Sequence, residues 1–237
     1  MDKRWFSITN IIQGKANSNG GRCGRGQGKF LPHTRSPVAQ LVICFTRVKF
    51  SSIEDCLIYS QFEIQTPELP KYVMVGHLPA VNYSTEMPSC NPRIHVEKKV
   101  ISIDGGMGVK SDGQLNVFVI DKLKPLSFHY VSIEDTAKLC VKKAQEESKV
   151  SRSITFIDNK IEIIDESKEQ YKIRHVSSHY ELWVDKEYVY QEEDGYHVWD
   201  ITDYRLPLYE GEWVYVYKET KDAYYVKKDG VLGWYYK

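Results

Sequence analysis

The chain has 237 residues, a formal net charge of zero and 42% hydrophobic residues, enough to build the core of one large domain or two small ones. Five cysteines are scattered without a Cys-x-x-Cys spacing, which argues against a disulfide framework and fits a reducing cytoplasm. No apolar run approaches the length of a membrane span and no signal peptide is recognisable, so a membrane partner is not predicted.

The first 50 residues differ from the rest in charge. They carry nine basic residues and one acid, whereas residues 51–237 carry twenty-three basic and thirty-one acidic residues. Six glycines between Gly14 and Gly28 leave almost nothing to bury. We therefore predict that residues 1–50 are a basic segment that is largely disordered or not native to the fold. Contact with RNA through Arg22 and Arg25 is an alternative, but no aromatic residue is interleaved, so nucleic acid is not favoured.

The middle of the chain, residues 51–148, mixes strand and helix patterns. A helix is predicted from Ser132 to about Glu147, because Ser132 can cap it and Asp135 completes a capping-box-like start. Residues 148–153 are polar and predict a linker. Other predicted elements are a strand within Val38–Phe50, a helix at Ser51–Glu63 and strands at 72–76, 100–103, 115–120 and 127–132.

Residues 153–237 predict a small all-β domain. Thirteen of the seventeen tyrosines and four of the five tryptophans follow residue 170. Short strands alternate with turn signals such as Glu193-Asp194-Gly195 and Asp229-Gly230, which is typical of a small barrel or sandwich. Asn159-Lys160 predicts a two-residue hairpin turn between strands at 153–158 and 161–164.

Two motifs in the middle of the chain carry a resemblance to a known family. Gly76-His77-Leu78-Pro79 resembles the Gly-His-Thr-Pro motif of the calcineurin-like metallophosphoesterases of the serine/threonine phosphatase type, with Leu78 in place of Thr. Val100 to Asp121, which contains Asp104-Gly105-Gly106, resembles the closing hairpin of that family. The resemblance covers about residues 68–131.

The resemblance implies a β-sandwich with helices and a centre of two divalent metal ions, of the Mn or Fe/Zn type, that activates a water molecule to attack a phosphate ester. His77 would be a metal ligand, and Asp104, Gly105 and Gly106 would form the loop beside the metal ions. The upstream motifs of the family, Gly-Asp-x-His-Gly, Gly-Asp-x-x-Asp-Arg-Gly and Gly-Asn-His, are missing. We therefore expect the C-terminal part of a truncated, inactive phosphatase.

The end of the chain resembles a bacterial SH3-like barrel, above all in Gly233-Trp234-Tyr235-Tyr236. The predicted fold is therefore α+β, with a partial metallophosphoesterase sandwich and α layer followed by an SH3-like barrel. Most aromatic residues after 170 are expected in the core, and Trp199, Tyr204 and Tyr224 are predicted as an exposed ligand surface.

Two classes of function remain open. In the first, the chain is a metal-dependent phosphoesterase acting on a phosphorylated protein or a small phosphoester. In the second, it is a non-catalytic module whose SH3-like part binds a peptide. The alternatives for the motif itself are a loop histidine with a hydrogen-bond partner at His77 and a plain turn at Asp104-Gly105-Gly106.

Overall fold

The structure is a computed structural model that describes residues 43–44, 68–123 and 126–237. The basic segment predicted at 1–50 and the helix predicted at Ser51–Glu63 lie outside the described residues, except for Ile43–Cys44. The described chain forms two compact units. The first contains Asn91–Glu134 and the described residues up to Ala80, and the second contains Val81–Cys90 and Asp135–Lys237.

The first unit consists of a four-stranded sheet and a long hairpin. Its strands are β1 (Ile43–Cys44), β2 (Val73–Val75), β3 (Arg93–His95), β4 (Val100–Ser102), β5 (Leu115–Leu123) and β6 (Leu126–Ile133). The sheet order is β1-β2-β4-β3, with β2 and β4 parallel and the outer strands antiparallel to them. The antiparallel hairpin is formed by β5 and β6. The strands predicted at 72–76, 100–103, 115–120 and 127–132 are confirmed, and β5 and β6 are longer than predicted. The strand β1 lies within the strand predicted at Val38–Phe50.

The parallel pair explains why its sequence is a continuous apolar run. Every residue of β2 and β4 is buried, as is typical of parallel strands covered on both faces. Met74 and Ile101, which are neighbours in register, pack in one core with Phe118. Because β2 and β4 run in the same direction, their carboxyl ends, which lead into His77 and Asp104, lie at the same edge of the sheet.

The second unit consists entirely of short strands and turns. Its strands are β7 (Lys138–Cys140), β8 (Ser153–Ile154), β9 (Lys160–Glu166), β10 (Gln170–His175), β11 (Glu181–Asp185), β12 (Val189–Glu192), β13 (Gly195–Val198), β14 (Ile201–Thr202), β15 (Trp213–Glu219), β16 (Ala223–Lys228) and β17 (Val231–Tyr236). They form a five-stranded sheet of order β11-β10-β9-β13-β12, a four-stranded sheet of order β17-β16-β15-β7 and the pair β14-β8. All of these pairings are antiparallel.

Each of the two larger sheets has its own apolar core. Ile154, Ile173 and Val198 are fully buried against the five-stranded sheet. Val214 and Val226, also fully buried, belong to the core of the four-stranded sheet. Burying such a side chain contributes roughly 1.5–3 kcal/mol of transfer free energy. Successive side chains of a strand point to opposite faces, so the β-branched residues that face these cores alternate with polar residues along the strands.

The predicted α+β class is wrong, because the described residues contain no α-helix. Their helical structure is limited to two short 3-10 helices, Ala80–Tyr83 and Lys186–Tyr188. The helix predicted from Ser132 to Glu147 is replaced by the end of β6, a turn and β7. Leu139 of β7 pairs with Val214 of β15 and packs against the same core as Val141, so the apolar residues alternate with a period of two and extended pairing overrides helix propensity.

The hairpin predicted at Asn159-Lys160 is also wrong. Ser153–Ile154 pairs with Ile201–Thr202, whereas Lys160–Glu166 pairs with β10 and β13, so the two segments belong to different sheets. Thr155 and Asp158 form an isolated bridge that turns the chain between them. None of the helices in the described ranges has the length and apolar character needed to cross a lipid bilayer.

Candidate functional site

The loops after β2 and β4 meet through one carboxylate. The main-chain N–H of His77 donates a hydrogen bond of 2.8 Å to Oδ2 of Asp104, and the N–H of Gly106 donates one of 2.8 Å to Oδ1. Both oxygens of Asp104 therefore hold main-chain atoms in place. The structure thus brings together His77 and the Asp104-Gly105-Gly106 loop, the residues that the sequence motif selects.

His77 is held in an unusual conformation. Its φ angle is +83°, which is left-handed and costs a residue with a Cβ atom roughly 1–2 kcal/mol. Nδ1 of its imidazole is buried and has no hydrogen-bond partner among the described residues. A buried ring nitrogen without a partner is an arrangement that a bound metal ion would complete, because neutral imidazole is the commonest metal ligand in proteins.

The loop beside His77 is packed so closely that it requires glycine. A Cβ atom on Gly105 would lie 2.2 Å from the carbonyl oxygen of Gln114, and Gly106 has a φ angle of +85°. The N–H of Gln114 donates to the carbonyl of Gly105 at 2.9 Å, which joins the loop to the start of β5. The loop therefore packs closely against the residue that precedes β5 and is hydrogen-bonded to it.

Two buried amide side chains form hydrogen bonds next to the Asp104-Gly105-Gly106 loop. Gln114 is fully buried, and its Nε2 donates to Oδ1 of Asn116 at 2.8 Å. Nδ2 of Asn116 in turn donates to the carbonyl of Ile103 at 3.0 Å, next to Asp104 in the chain. Sequence reasoning placed Asn116 in the predicted strand 115–120 and Gln114 just before it, within the stretch that resembles the closing hairpin, and gave no role to either amide. Their spacing of two residues places both side chains on the same side of extended chain.

A complete dinuclear centre does not fit the residues that the structure describes. His77 offers one suitable nitrogen, while the oxygens of Asp104 already accept two main-chain N–H groups. Each ion of such a centre needs several protein ligands. Within the described ranges, the one group of three His, Cys, Asp or Glu residues whose ligand atoms lie together does not include His77.

That group, Glu192, Asp194 and His197, could hold a metal ion on the hairpin of β12 and β13. Its ligand atoms lie within 4.8 Å of one another. Hydrogen bonds from Lys160 and His197, at 2.9 and 2.8 Å, lower the pKa of Asp194 to about 2. Nδ1 of His197 lies 2.9 Å from Oδ1 of Asn159. A metal ion would have to displace Lys160 and break the hydrogen bond between His197 and Asp194. It would need the same carboxylate oxygens of Asp194 and a ring nitrogen of His197 that carries no proton.

The three aromatic residues predicted as a ligand surface lie in different surroundings. Trp199 is 58% exposed and stacks on Tyr190 at 4.5 Å between ring centroids. Tyr224 is half-buried and lines a cavity on the four-stranded sheet. Tyr204 is a correction to the prediction, because it is only 4% exposed and belongs to the core. Burial and the hydrogen bond to Glu147 raise the pKa of Tyr204 to about 12.

Sequence reasoning missed a group of basic residues that lines two cavities, one of which Tyr224 also lines. Lys142 and Lys143 come from the loop after β7, and Arg205 comes from the segment after β14. No local motif links them, because they converge only when β7 and β17 are placed in the same sheet.

No protein-family model matches the chain, and no match was found among the curated proteins or the solved structures.

Proposed function

We propose that residues 68–131 are the C-terminal part of a metal-dependent phosphoesterase of the serine/threonine phosphatase type, and that this chain by itself does not hydrolyse phosphate esters. The observation that carries the proposal is the buried Nδ1 of His77, which has no hydrogen-bond partner in the described part of the chain and belongs to the residue whose N–H is held by Asp104. The metal ion would be divalent, of the Mn or Fe/Zn type. The substrate would be a phosphorylated protein or a small phosphoester.

Residues 68–131 contain part of the proposed metal site and lack most of its ligands. In the family that the motif resembles, two metal ions activate water for attack on a phosphate ester. In this chain, His77 presents a nitrogen at the strand end, Asp104 orients the main chain of His77, and Gly105 and Gly106 let the backbone approach closely. The inactivity follows from the count of ligands, since one imidazole does not hold two ions.

The first test is turnover of p-nitrophenyl phosphate by the purified chain with and without Mn²⁺, with His77→Ala as control. We expect no turnover above the control. Metal-dependent turnover that is lost in His77→Ala would contradict the inactivity, because other residues would then have to supply ligands.

A second test examines the family assignment itself. A segment carrying the three missing metal-binding motifs would be fused before residue 68. We expect the fusion to gain Mn²⁺-dependent turnover that His77→Ala abolishes. A folded fusion that binds Mn²⁺ yet has the same activity with histidine or alanine at this position would remove His77 from the proposed site.

We propose, as a second function, that residues 135–237 bind a peptide without catalysis. Two observations favour it: the exposed Trp199 stacked on Tyr190, and the cavity lined by Tyr224. Exposed aromatic side chains supply contact area at a low cost in side-chain entropy. The two functions differ in metal dependence, because peptide binding should persist in EDTA. Cys90 and Cys140 are not joined in a disulfide within the described ranges, which is consistent with the cytoplasm as the proposed compartment.

A further inference from the structure

A cleft with positively charged walls lies on the four-stranded sheet of the second unit. Two cavities of about 350 and 300 Å³ share Lys143, Tyr235 and Lys237 in their walls and therefore adjoin. Lys142 lines one of them and Arg205 lines the other. We call this region, formed by Lys142, Lys143, Arg205, Tyr224, Tyr235 and Tyr236, the cationic cleft.

Three basic residues of the cationic cleft are not engaged in ion pairs with described residues. Lys142, Lys143 and Arg205 have no carboxylate partner among the described residues. Six basic residues elsewhere in the unit are paired with carboxylates, namely Lys160, Lys172, Arg174, Lys186, Lys218 and Lys228. Lys237, at the rim of the cleft, is neutralised by Glu219 at 2.8 Å. Glu146 also lines the cavity of Arg205 and is the one acidic residue among the described residues in the walls of the two cavities. Three basic side chains against this single carboxylate leave a net positive charge, which favours an anionic ligand.

The loop that carries the lysines is held in position by the last strand. Tyr235 is only 5% exposed, and its hydroxyl oxygen accepts hydrogen bonds of 3.1 Å from the main-chain N–H groups of Lys142 and Lys143. Because the oxygen accepts both bonds, the hydroxyl proton remains available as a donor. Nε2 of Gln145 donates to the carbonyl of Trp234 at 2.8 Å, and its Oε1 accepts from the N–H of Tyr236 at 3.0 Å.

Aromatic rings form the walls beside these charges. Tyr224 stacks on Tyr235 with ring centroids 6.4 Å apart and planes 20° apart. The guanidinium of Arg205 lies 5.0 Å from the centroid of the Tyr236 ring. A guanidinium supported on a ring keeps its N–H edge free, and that edge matches two oxygens of a phosphate group.

We propose that the cationic cleft binds a phosphorylated side chain of a partner polypeptide. A phosphoryl group carries nearly two negative charges and three acceptor oxygens at neutral pH, which match Arg205, the lysines and the Tyr235 hydroxyl. The two cavities are larger than a phosphate ion requires, so the group arrives on a side chain and the second cavity takes the neighbouring part of the peptide. The inference rests on the proposed binding function of residues 135–237 and is independent of His77.

The test is fluorescence anisotropy with the full chain in EDTA, so that metal-dependent turnover cannot consume the probe. The probes are two labelled degenerate peptide pools that differ only in whether the fixed central serine or tyrosine is phosphorylated. We expect the phosphorylated pool to bind at least roughly tenfold more tightly, and Lys143→Ala or Arg205→Ala to weaken its binding by roughly tenfold. Arg205→Lys should be intermediate, because it keeps the charge and loses the forked geometry.

Lys168→Ala is the matched control, because Lys168 is exposed in the turn before β10 and has no carboxylate partner among the described residues. It should leave binding unchanged. Equal binding of the two pools would overturn the phosphate assignment while leaving a peptide-binding module, and binding insensitive to Lys143→Ala and Arg205→Ala would overturn the location. Inorganic phosphate could also displace the peptide at a phosphate concentration equal to the dissociation constant of the peptide. That result would assign the cleft to free phosphate instead.

Discussion

Asp104 and His77, at the ends of two parallel strands, are joined by a hydrogen bond of 2.8 Å from the main-chain N–H of His77 to Oδ2 of Asp104. The other carboxylate oxygen accepts from the N–H of Gly106. One side chain therefore fixes both the left-handed backbone of His77 and the start of the glycine loop. Hydrogen bonds to a carboxylate are stronger than those between neutral groups, which is why this carboxylate can hold a strained residue.

Asp104→Asn tests this role of the carboxylate. The amide replaces one acceptor oxygen with a donor, so either His77 or Gly106 would face an N–H group in place of an oxygen. We expect the free energy of unfolding, measured with urea, to fall by about 2 kcal/mol. Unchanged stability would show that the loop is held without the carboxylate.

His77→Gly and His77→Ala together measure the backbone strain at the candidate ligand. Both variants remove the imidazole, but alanine retains a Cβ atom at φ +83° and glycine does not. We expect His77→Gly to be more stable than His77→Ala by roughly 1 kcal/mol in chemical denaturation. Equal stabilities would mean that the loop relaxes out of the left-handed region when the ring is removed.

Gly105→Ala tests the close approach of the loop to β5. The new methyl group would lie 2.2 Å from the carbonyl oxygen of Gln114, which is a backbone atom that has little room to move. We expect a loss of about 3 kcal/mol or more in the free energy of unfolding.

Gly76→Ala is the matched control for that substitution, because a Cβ atom there would meet its nearest neighbour, Oδ2 of Asp104, at 3.9 Å. Its stability should stay within about 1 kcal/mol of the parent chain. Similar losses in Gly76→Ala and Gly105→Ala would contradict the specific role given to Gly105.

Alkaline pH should destabilise the second unit through two tyrosines. Burial, with hydrogen bonds to Asp203 and Glu147 respectively, raises the pKa of Tyr180 and that of Tyr204 from 10.0 to about 12. The folded state therefore holds these protons more tightly than the unfolded state, so the stability they contribute is complete below pH 10 and is lost as pH rises from about 10 to about 12.

Tyr180→Phe provides the check on this pH dependence. Urea unfolding at several pH values between 9 and 12 should show a shallower loss of stability in the variant than in the parent chain. The Tyr180 hydroxyl donates a hydrogen bond of 2.6 Å to Asp203, so the variant should also be less stable at neutral pH. Parallel curves for the two chains would rule out Tyr180 as the titrating group.

Much of the local structure of this protein follows from the sequence alone. Apolar runs that end in glycine marked β2 and β4, and turn residues such as Asp194-Gly195 and Asp229-Gly230 marked the hairpins around them. The Gly76-His77 and Asp104-Gly105 motifs also identified residues that lie together in the structure. These features are readable because strand period, turn conformation and the glycine requirement are set by neighbours in the chain.

The tertiary structure decided what depends on distant partners. Residues 138–140 form a strand and not a helix because Val214 offers Leu139 a paired position in a buried sheet. Tyr204 is buried, although its sequence context did not distinguish it from the exposed Trp199. Short segments have weak intrinsic preferences for helix or strand, so sheet packing decides which residues form the core. The cationic cleft is formed by residues that are remote in sequence, so only the packing of the sheets brings them together.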